Sequence, residues 1–233
     1  LLTYGLSTTA DVKAANIEYF DNHTSFDVVL SNKILSSAKT WKKITLPMLG
    51  KHNVLNCLAS ISIAIEMGIS ENSIRNTLNN FKGIKRRFES KGVTNDGIKI
   101  IDDYGHHPVE ITYALSSGRI LASKNKLIAI FQPHRYSRLK DLFDEFCQCF
   151  NNADYVFITD VYAAGESEIE NFNKETLAAG ISDFGHNNVS IINNENEICD
   201  KIHSVAKPND VVIFLGAGSI TKWSETIVHQ LNN

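Results

Sequence analysis

Hydrophobic and polar positions change rhythm close to residue 84. Before that point, "IEYF", "FDVVLS" and "KKITLPM" are short apolar-rich runs separated by Asn, Asp, Ser and Thr, a pattern that predicts strands. Residues 52–67, "HNVLNCLASISIAIEM", are apolar over four turns and predict a long helix. A second helix, "SENSIRNTLNNF", follows Gly68, with Ser70 as its N-cap. "KGIKRRFES", basic and glycine-containing, then reads as a hinge. After it, strands at "IKIID", "KLIAIFQ", "DYVFITDVY", "VSIIN" and "DVVIFLG" alternate with helices at "PVEITYALSSGRILA", "SRLKDLFDEFCQCF", "KETLAAGISDF", "NEICDKIHSVA" and "TKWSETIVHQL".

Short apolar strands alternating with helices call for a mostly parallel sheet covered on both faces. The chain therefore reads as α/β in two units: a tail of one domain to about residue 84, and a complete Rossmann-like domain after it. It opens "LLTYGLSTTADVKA", without methionine and directly in strand-like pattern, which predicts a start inside a domain.

Composition narrows the classes. The 233 residues are 43% hydrophobic and 21% charged, near the globular average, which argues against disorder. A net charge of −3 supplies no field for nucleic acid or an anionic membrane. No run of 18 apolar residues occurs. The four cysteines fall in helix-like stretches, and Cys147 and Cys149, two apart, make no CxxC site. They read as reduced thiols of a cytoplasmic protein.

Chemistry gathers where strands run out. "IIDDYGHHPVEI", residues 100–111, places Asp102 to His107 in a loop between a strand and a helix whose first turn holds Pro108. In open α/β sheets, loops at the carboxyl ends of strands are where ligands bind. "FQPHRYSR", residues 131–138, repeats the geometry, and Arg135 and Arg138, three apart, share a helix face suited to carboxylate or phosphate. "TDVYAAGES" and "LGAGSIT" end the next strands alike. "LGKHNVLNCLAS" sets His52, Asn53 and Asn56 in the first turns of the apolar helix, where side-chain amides could read a base edge or simply cap the helix. "KRRFES" is either a phosphate clamp or a solvated basic turn. "DDYGHHP" is either a substrate loop, a metal site or an Asx turn with Pro at N1. No GxxxxGK phosphate loop is present.

In their order, "GKHNVLN", "GIKRRFE", "DDYGHHPVEI", "FQPHRYSR", "DVYAAGE" and "GAGSIT" resemble the UDP-N-acetylmuramate–L-alanine ligases, ATP-dependent Mur ligases of peptidoglycan synthesis. The branch that recycles murein tripeptide has a similar histidine loop but differs at "PHRYSR". The resemblance covers nearly the whole chain. It implies that residues 1–84 are the C-terminal part of the central ATP-binding domain, without its P-loop, and that residues 85–233 are the C-terminal Rossmann-like domain. It also implies nucleotide contacts at Asn56 and Arg87, with His52 and Asn53 near the adenine, and a ribose and hinge contact at Asp103. Tyr104, His106, Arg135 and Arg138 would line the pocket for alanine and the activated carboxylate. His106, Arg135 and Arg138 would be catalytic. The implied reaction passes through an acyl phosphate attacked by alanine's amine, and cations must close over the charge. ATP and Mg2+ are implied for the full-length enzyme, with the Mg2+ ligands outside this stretch, and these residues alone should be inactive. Two other classes remain: a non-catalytic nucleotide-binding or regulatory module on the same fold, and a histidine-dependent metallohydrolase, for which a third ligand is not evident.

Overall fold

A computed structural model describes residues 1–34 and 39–232. It divides into two compact units, Leu1–Gly83 and Ile84–Asn233.

The first unit holds a four-stranded sheet in the order β1 (Tyr4–Gly5), β2 (Val12–Tyr19), β3 (Thr24–Leu30) and β4 (Lys39–Leu46). β1 pairs parallel to β2, and the other pairs are antiparallel. β2 begins five residues before the expected "IEYF" strand, because Val12 and Ala14 alternate into the core ahead of it. The β2–β3 and β3–β4 ladders each carry an irregularity. The Asp27 carboxylate ties both, accepting from Asn16 Nδ2 at 2.9 Å and Lys43 N at 2.8 Å. The helix α1 (Lys51–Glu66) buries Val54, Cys57, Leu58 and Ile61, spaced three and four apart, against Phe26, Val28 and Ile44. α2 (Glu71–Asn79) starts at Ser70, whose hydroxyl accepts from Ser73 N.

The second unit is a six-stranded sheet in the order β5 (Glu89–Val93), β6 (Lys99–Asp103), β10 (Val211–Leu215), β7 (Leu127–Phe131), β8 (Tyr155–Ile158) and β9 (Val189–Ile191). Every pair is parallel except β5–β6. Period-2 alternation splits the strands between two cores. Ala129, Phe131, Ile158, Ile213 and Leu215 face α3 (Pro108–Ala122), α4 (Tyr136–Asp141), α5 (Phe143–Gln148) and α6 (Lys174–Asp183). Ile100, Ile128, Ile130, Val212 and Phe214 face α7 (Glu197–Val205) and α8 (Ile220–Leu231). This is the expected mostly parallel sheet with helices on both faces. Each fully buried large side chain, such as Phe131 or Phe214, contributes about 1.5–3 kcal/mol of burial free energy.

Three local expectations need correction. Residues 137–150 do not form one helix. The ladder breaks at Leu142 (φ −124°), which ends α4 and begins α5. Glu89 and Ser90, read as hinge, belong to β5, an edge strand whose polar composition hides it. Asp102 and Asp103 are not in the loop. Both continue β6 into the sheet, with Asp102 fully buried.

β10 lies between β6 and β7, and α8, which follows β10, packs on the face opposite to α3 and α4. Connections that leave neighbouring strands toward opposite faces open a crevice at the strands' carboxyl ends. The loops after β6, β7, β8 and β10 meet there.

Candidate functional site

Asp103 anchors the loop after β6. Its Oδ1 accepts from Gly105 N at 2.7 Å and its Oδ2 from Phe88 N at 2.8 Å. A Cβ on Gly105 would sit 2.9 Å from Asp103 Oδ1, so the tight turn needs glycine. Burial pushes the Asp103 carboxyl up to about 6, opposed by the two backbone N–H groups and by Arg87.

The adjacent histidines separate into two jobs. His107 is the N-cap of α3, its Nδ1 accepting from Val109 N at 3.3 Å, with Pro108 opening the helix. The Glu110 carboxylate reaches back to the N–H groups of His106 and His107 at 3.1 and 3.2 Å. His106 Nδ1 lies 2.9 Å from the Tyr104 carbonyl. A carbonyl only accepts, so Nδ1 carries the proton and Nε2 is the acceptor nitrogen of the neutral ring. The His106 ring stands edge-on to Tyr104 and 5.9 Å from the ring of His134.

Arg86 was not singled out by the sequence, where "RRF" offers two arginines and the resemblance points to Arg87. Arg87 is exposed. Arg86 lies with its guanidinium 4.5 Å over the Tyr104 ring, donates to the Gly216 carbonyl at 2.8 Å, and accepts from Tyr104 N at 2.7 Å through its own carbonyl. It thus fastens the loops after β6 and β10 together. Beneath it, the Asp102 carboxylate is 4.0 Å from Arg86 Nε and 3.9 Å from Lys91 Nζ. Burial pushes the Asp102 pKa up, and these two cations pull it down.

The loop after β7 brings in His134, Arg135 and Arg138. Arg135 caps α4 with φ 73°, and its N–H donates to the Tyr162 carbonyl at 2.9 Å. Its half-exposed guanidinium reaches Glu166 Oε1 at 3.6 Å. Glu166, in the loop after β8, accepts from Ser137 N and Oγ at 3.0 and 2.7 Å, and these bonds hold its pKa down. Arg138 Nη1 lies 3.0 Å from the His134 carbonyl and 3.1 Å from His134 Nδ1. Among the described residues no carboxylate pairs with Arg138.

The structure therefore brings Tyr104, His106, Arg135 and Arg138 to one sheet edge, with Asp103 at its root. Arg86, His134, Tyr162 and Glu166 join them unforeseen. All four lie inside motif stretches of the sequence, Arg86 in "KRRFES", His134 in "FQPHRYSR", and Tyr162 and Glu166 in "TDVYAAGES", though none of them stood out there as a site residue. Three arginines, two histidines and two tyrosines on a rigid edge suit an anionic substrate that also exchanges a proton.

The residues from the first unit stand differently. Asn53 is buried, and its Nδ2 donates to the Leu49 carbonyl at 2.8 Å. Asn56 is exposed and His52 half-buried. α1 begins at Gly50 without a side-chain cap.

For metals, no group of three His, Cys, Asp or Glu among the described residues could hold an ion. His106 and His107 do not converge, since each is tied to its own backbone partner.

Comparison with known proteins closes the question of family. The family model for the Mur ligase middle domain matches residues 1–64, and that described as Mur ligase, glutamate ligase domain, matches residues 86–218. The chain belongs to the Mur ligase family. This Mur ligase chain is 48% identical, over 99% of its length and 48% of the relative's, to the UDP-N-acetylmuramate–L-alanine ligase of Rhodospirillum rubrum. It is 46% identical to that of Gluconobacter oxydans, again over 99% of the chain and 48% of the relative. Among solved structures, the UDP-N-acetylmuramate-alanine ligase of Thermotoga maritima superposes with a TM-score of 0.79 at 26% identity, covering 98% of this chain and 47% of that one. The MurF ligase of Thermotoga maritima, solved in complex with ADP, shares the fold at a TM-score of 0.70 and 16% identity, over 98% of this chain and 49% of that one. The Mur ligase chain spans about half the length of the curated relatives it matches.

Proposed function

We propose that the chain is part of an ATP-dependent ligase that joins L-alanine to UDP-N-acetylmuramate in cytoplasmic peptidoglycan synthesis. Residues 1–84 would be the C-terminal part of the central ATP-binding domain, and residues 85–233 the C-terminal domain. The observation that carries the reading is the gathering of Tyr104, His106, Arg135 and Arg138 at the carboxyl edge of one sheet, in a chain 48% identical to a relative of that name.

In this reading Arg135 and Arg138 hold alanine's carboxylate and help neutralise the charge that builds on the acyl phosphate. Tyr104 and His106 line the same pocket. His106, with its proton on Nδ1, offers Nε2 to a proton of the attacking amine. Asn56 and Arg87 contact the nucleotide, His52 and Asn53 lie near the adenine, and Asp103 contacts the ribose. Each of these assignments is our own. Asn53's amide already bonds the Leu49 carbonyl, so it acts by shaping its turn as well. Mg2+ accompanies ATP in the proposal, but the described residues offer no donor set that fits it, and no step here runs through it.

The decisive test uses the complete protein that contains this chain. Phosphate release that requires both alanine and UDP-N-acetylmuramate, with a new amide in the product, is the expected result. Nucleotide binding without turnover in that protein would instead favour the non-catalytic module. From the 233 residues alone, which contain no GxxxxGK loop, we expect no ATP hydrolysis above background.

A further inference from the structure

We propose that His134 is a positioning residue: as a neutral acceptor it sets the orientation of Arg138 toward the substrate's anionic group. This rests on the reading of Arg138 given above. The backbone of His134 is fixed first. It forms an isolated parallel bridge with Tyr162, through Tyr162 N to the Pro133 carbonyl at 2.8 Å and Arg135 N to the Tyr162 carbonyl at 2.9 Å. Its ring is fixed next, stacked on Tyr162 with centroids 5.4 Å apart and planes 21° apart. The 3.1 Å contact between Arg138 Nη1 and His134 Nδ1 then has one chemical solution. A guanidinium has donors only, so Nδ1 must accept and the ring proton sits on Nε2. Nη1 also donates to the His134 carbonyl at 3.0 Å, so one residue engages one end of the arginine fork twice. No carboxylate among the described residues competes for Arg138.

His106 and His134 therefore hold opposite tautomers 5.9 Å apart, the first with Nε2 as acceptor and the second with Nδ1. The charged groups around His134 are His106 from the loop after β6, Arg135 and Arg138 from its own loop and α4, and Glu166 from the loop after β8. Burial first, then Arg138, His106 and Arg135, lower its pKa against the opposing pull of Glu166, which keeps the acceptor lone pair available near neutrality. Protonation would put an N–H against the guanidinium and release the fork.

Two measurements test this separately from the ligase reading. Imidazole nitrogen NMR of the 233-residue chain should show His134 as the Nε2–H tautomer, with a titration that moves upward in Arg138→Gln. An Nδ1–H tautomer, or an unmoved titration, overturns the proposal whatever the protein catalyses. In the complete ligase, His134→Phe keeps the stacking ring and removes the acceptor, whereas His134→Asn keeps an acceptor near the position of Nδ1. The Phe variant should raise the KM for alanine about tenfold or more with little change in Tm. The Asn variant should stay within a few-fold and lose the rise of that KM at acid pH, with kcat little changed. Equal damage in both variants, or an acid limb that persists in the Asn variant, would show that the ring acts only as packing.

Discussion

The first turns of α1 and the carboxyl edge of the second sheet both collect polar residues, but they are built in different ways. At α1, Asn53 is buried with its amide on the Leu49 carbonyl, while Asn56 faces solvent. At the sheet edge, Arg86, Tyr104, His106, His134, Arg138 and Glu166 orient one another across four loops. The contrast teaches that preorganisation comes from loops that can reach each other. One helix turn offers side chains at fixed spacing. A switch-point edge converges several chain segments, so each functional group is held by another.

The largest effect should come from Arg135. If its fork grips an anion in two places, lysine cannot replace it. In the complete ligase, Arg135→Lys should lose nearly as much kcat/KM for alanine as Arg135→Ala, on the order of 2–5 kcal/mol or roughly 30-fold to several thousand-fold. Tm should hold, because the side chain is half-exposed and its Glu166 contact is 3.6 Å. A lysine variant within a few-fold of the parent would place Arg135 with the solvated groups and break the comparison.

Next is Gly218→Ala. A Cβ there would meet Gln132 Oε1 and lie 2.6 Å from Tyr162 Cγ and 2.8 Å from its Cβ. Tyr162 Cβ is too close to its own backbone to swing away. We expect about 1–3 kcal/mol of destabilisation, read by urea unfolding of the 233-residue chain. An unchanged midpoint would mean the edge is looser than its contacts imply.

Asn53 and Asn56 sharpen the other side. Asn53→Ala should cost about 1–2 kcal/mol of stability, since it removes a buried amide and its 2.8 Å hydrogen bond to the Leu49 carbonyl. Asn56→Ala should leave stability within about 0.5 kcal/mol and raise the KM for ATP in the complete ligase. Loss of stability in the Asn56 variant, with ATP affinity kept, would make α1 a capping site alone.

A separate effect is in pH. The Asp103 carboxyl, near 3.8 when unfolded, titrates at about 6 in the fold. Between those values the folded chain binds more protons than the unfolded one. Its contribution to stability therefore falls as pH rises from about 4 to about 6 and is level above. Amide shifts of Phe88 and Gly105 followed by NMR should share a midpoint near 6. A midpoint near 4 would show that their N–H bonds fully offset burial.

By itself the sequence determined the alternation of elements in the second unit. Strands buried on both faces must be apolar throughout, and Leu127–Phe131 and Val211–Leu215 are. It also carried the start of α3, because Pro108 suits only a first helical turn. Polar segments were less legible. β5 alternates polar residues on an edge, so Glu89–Val93 has no apolar run to mark it. The break at Leu142 is invisible in a stretch whose apolar spacing continues through it. Only the tertiary structure decided which of two like neighbours does what. It put Asp102 under Arg86 and Asp103 on two backbone N–H groups, and it made His107 a cap while His106 faces Tyr104 and His134. Adjacent identical residues have the same local propensity, and contacts from strands and loops distant in sequence supply the distinction.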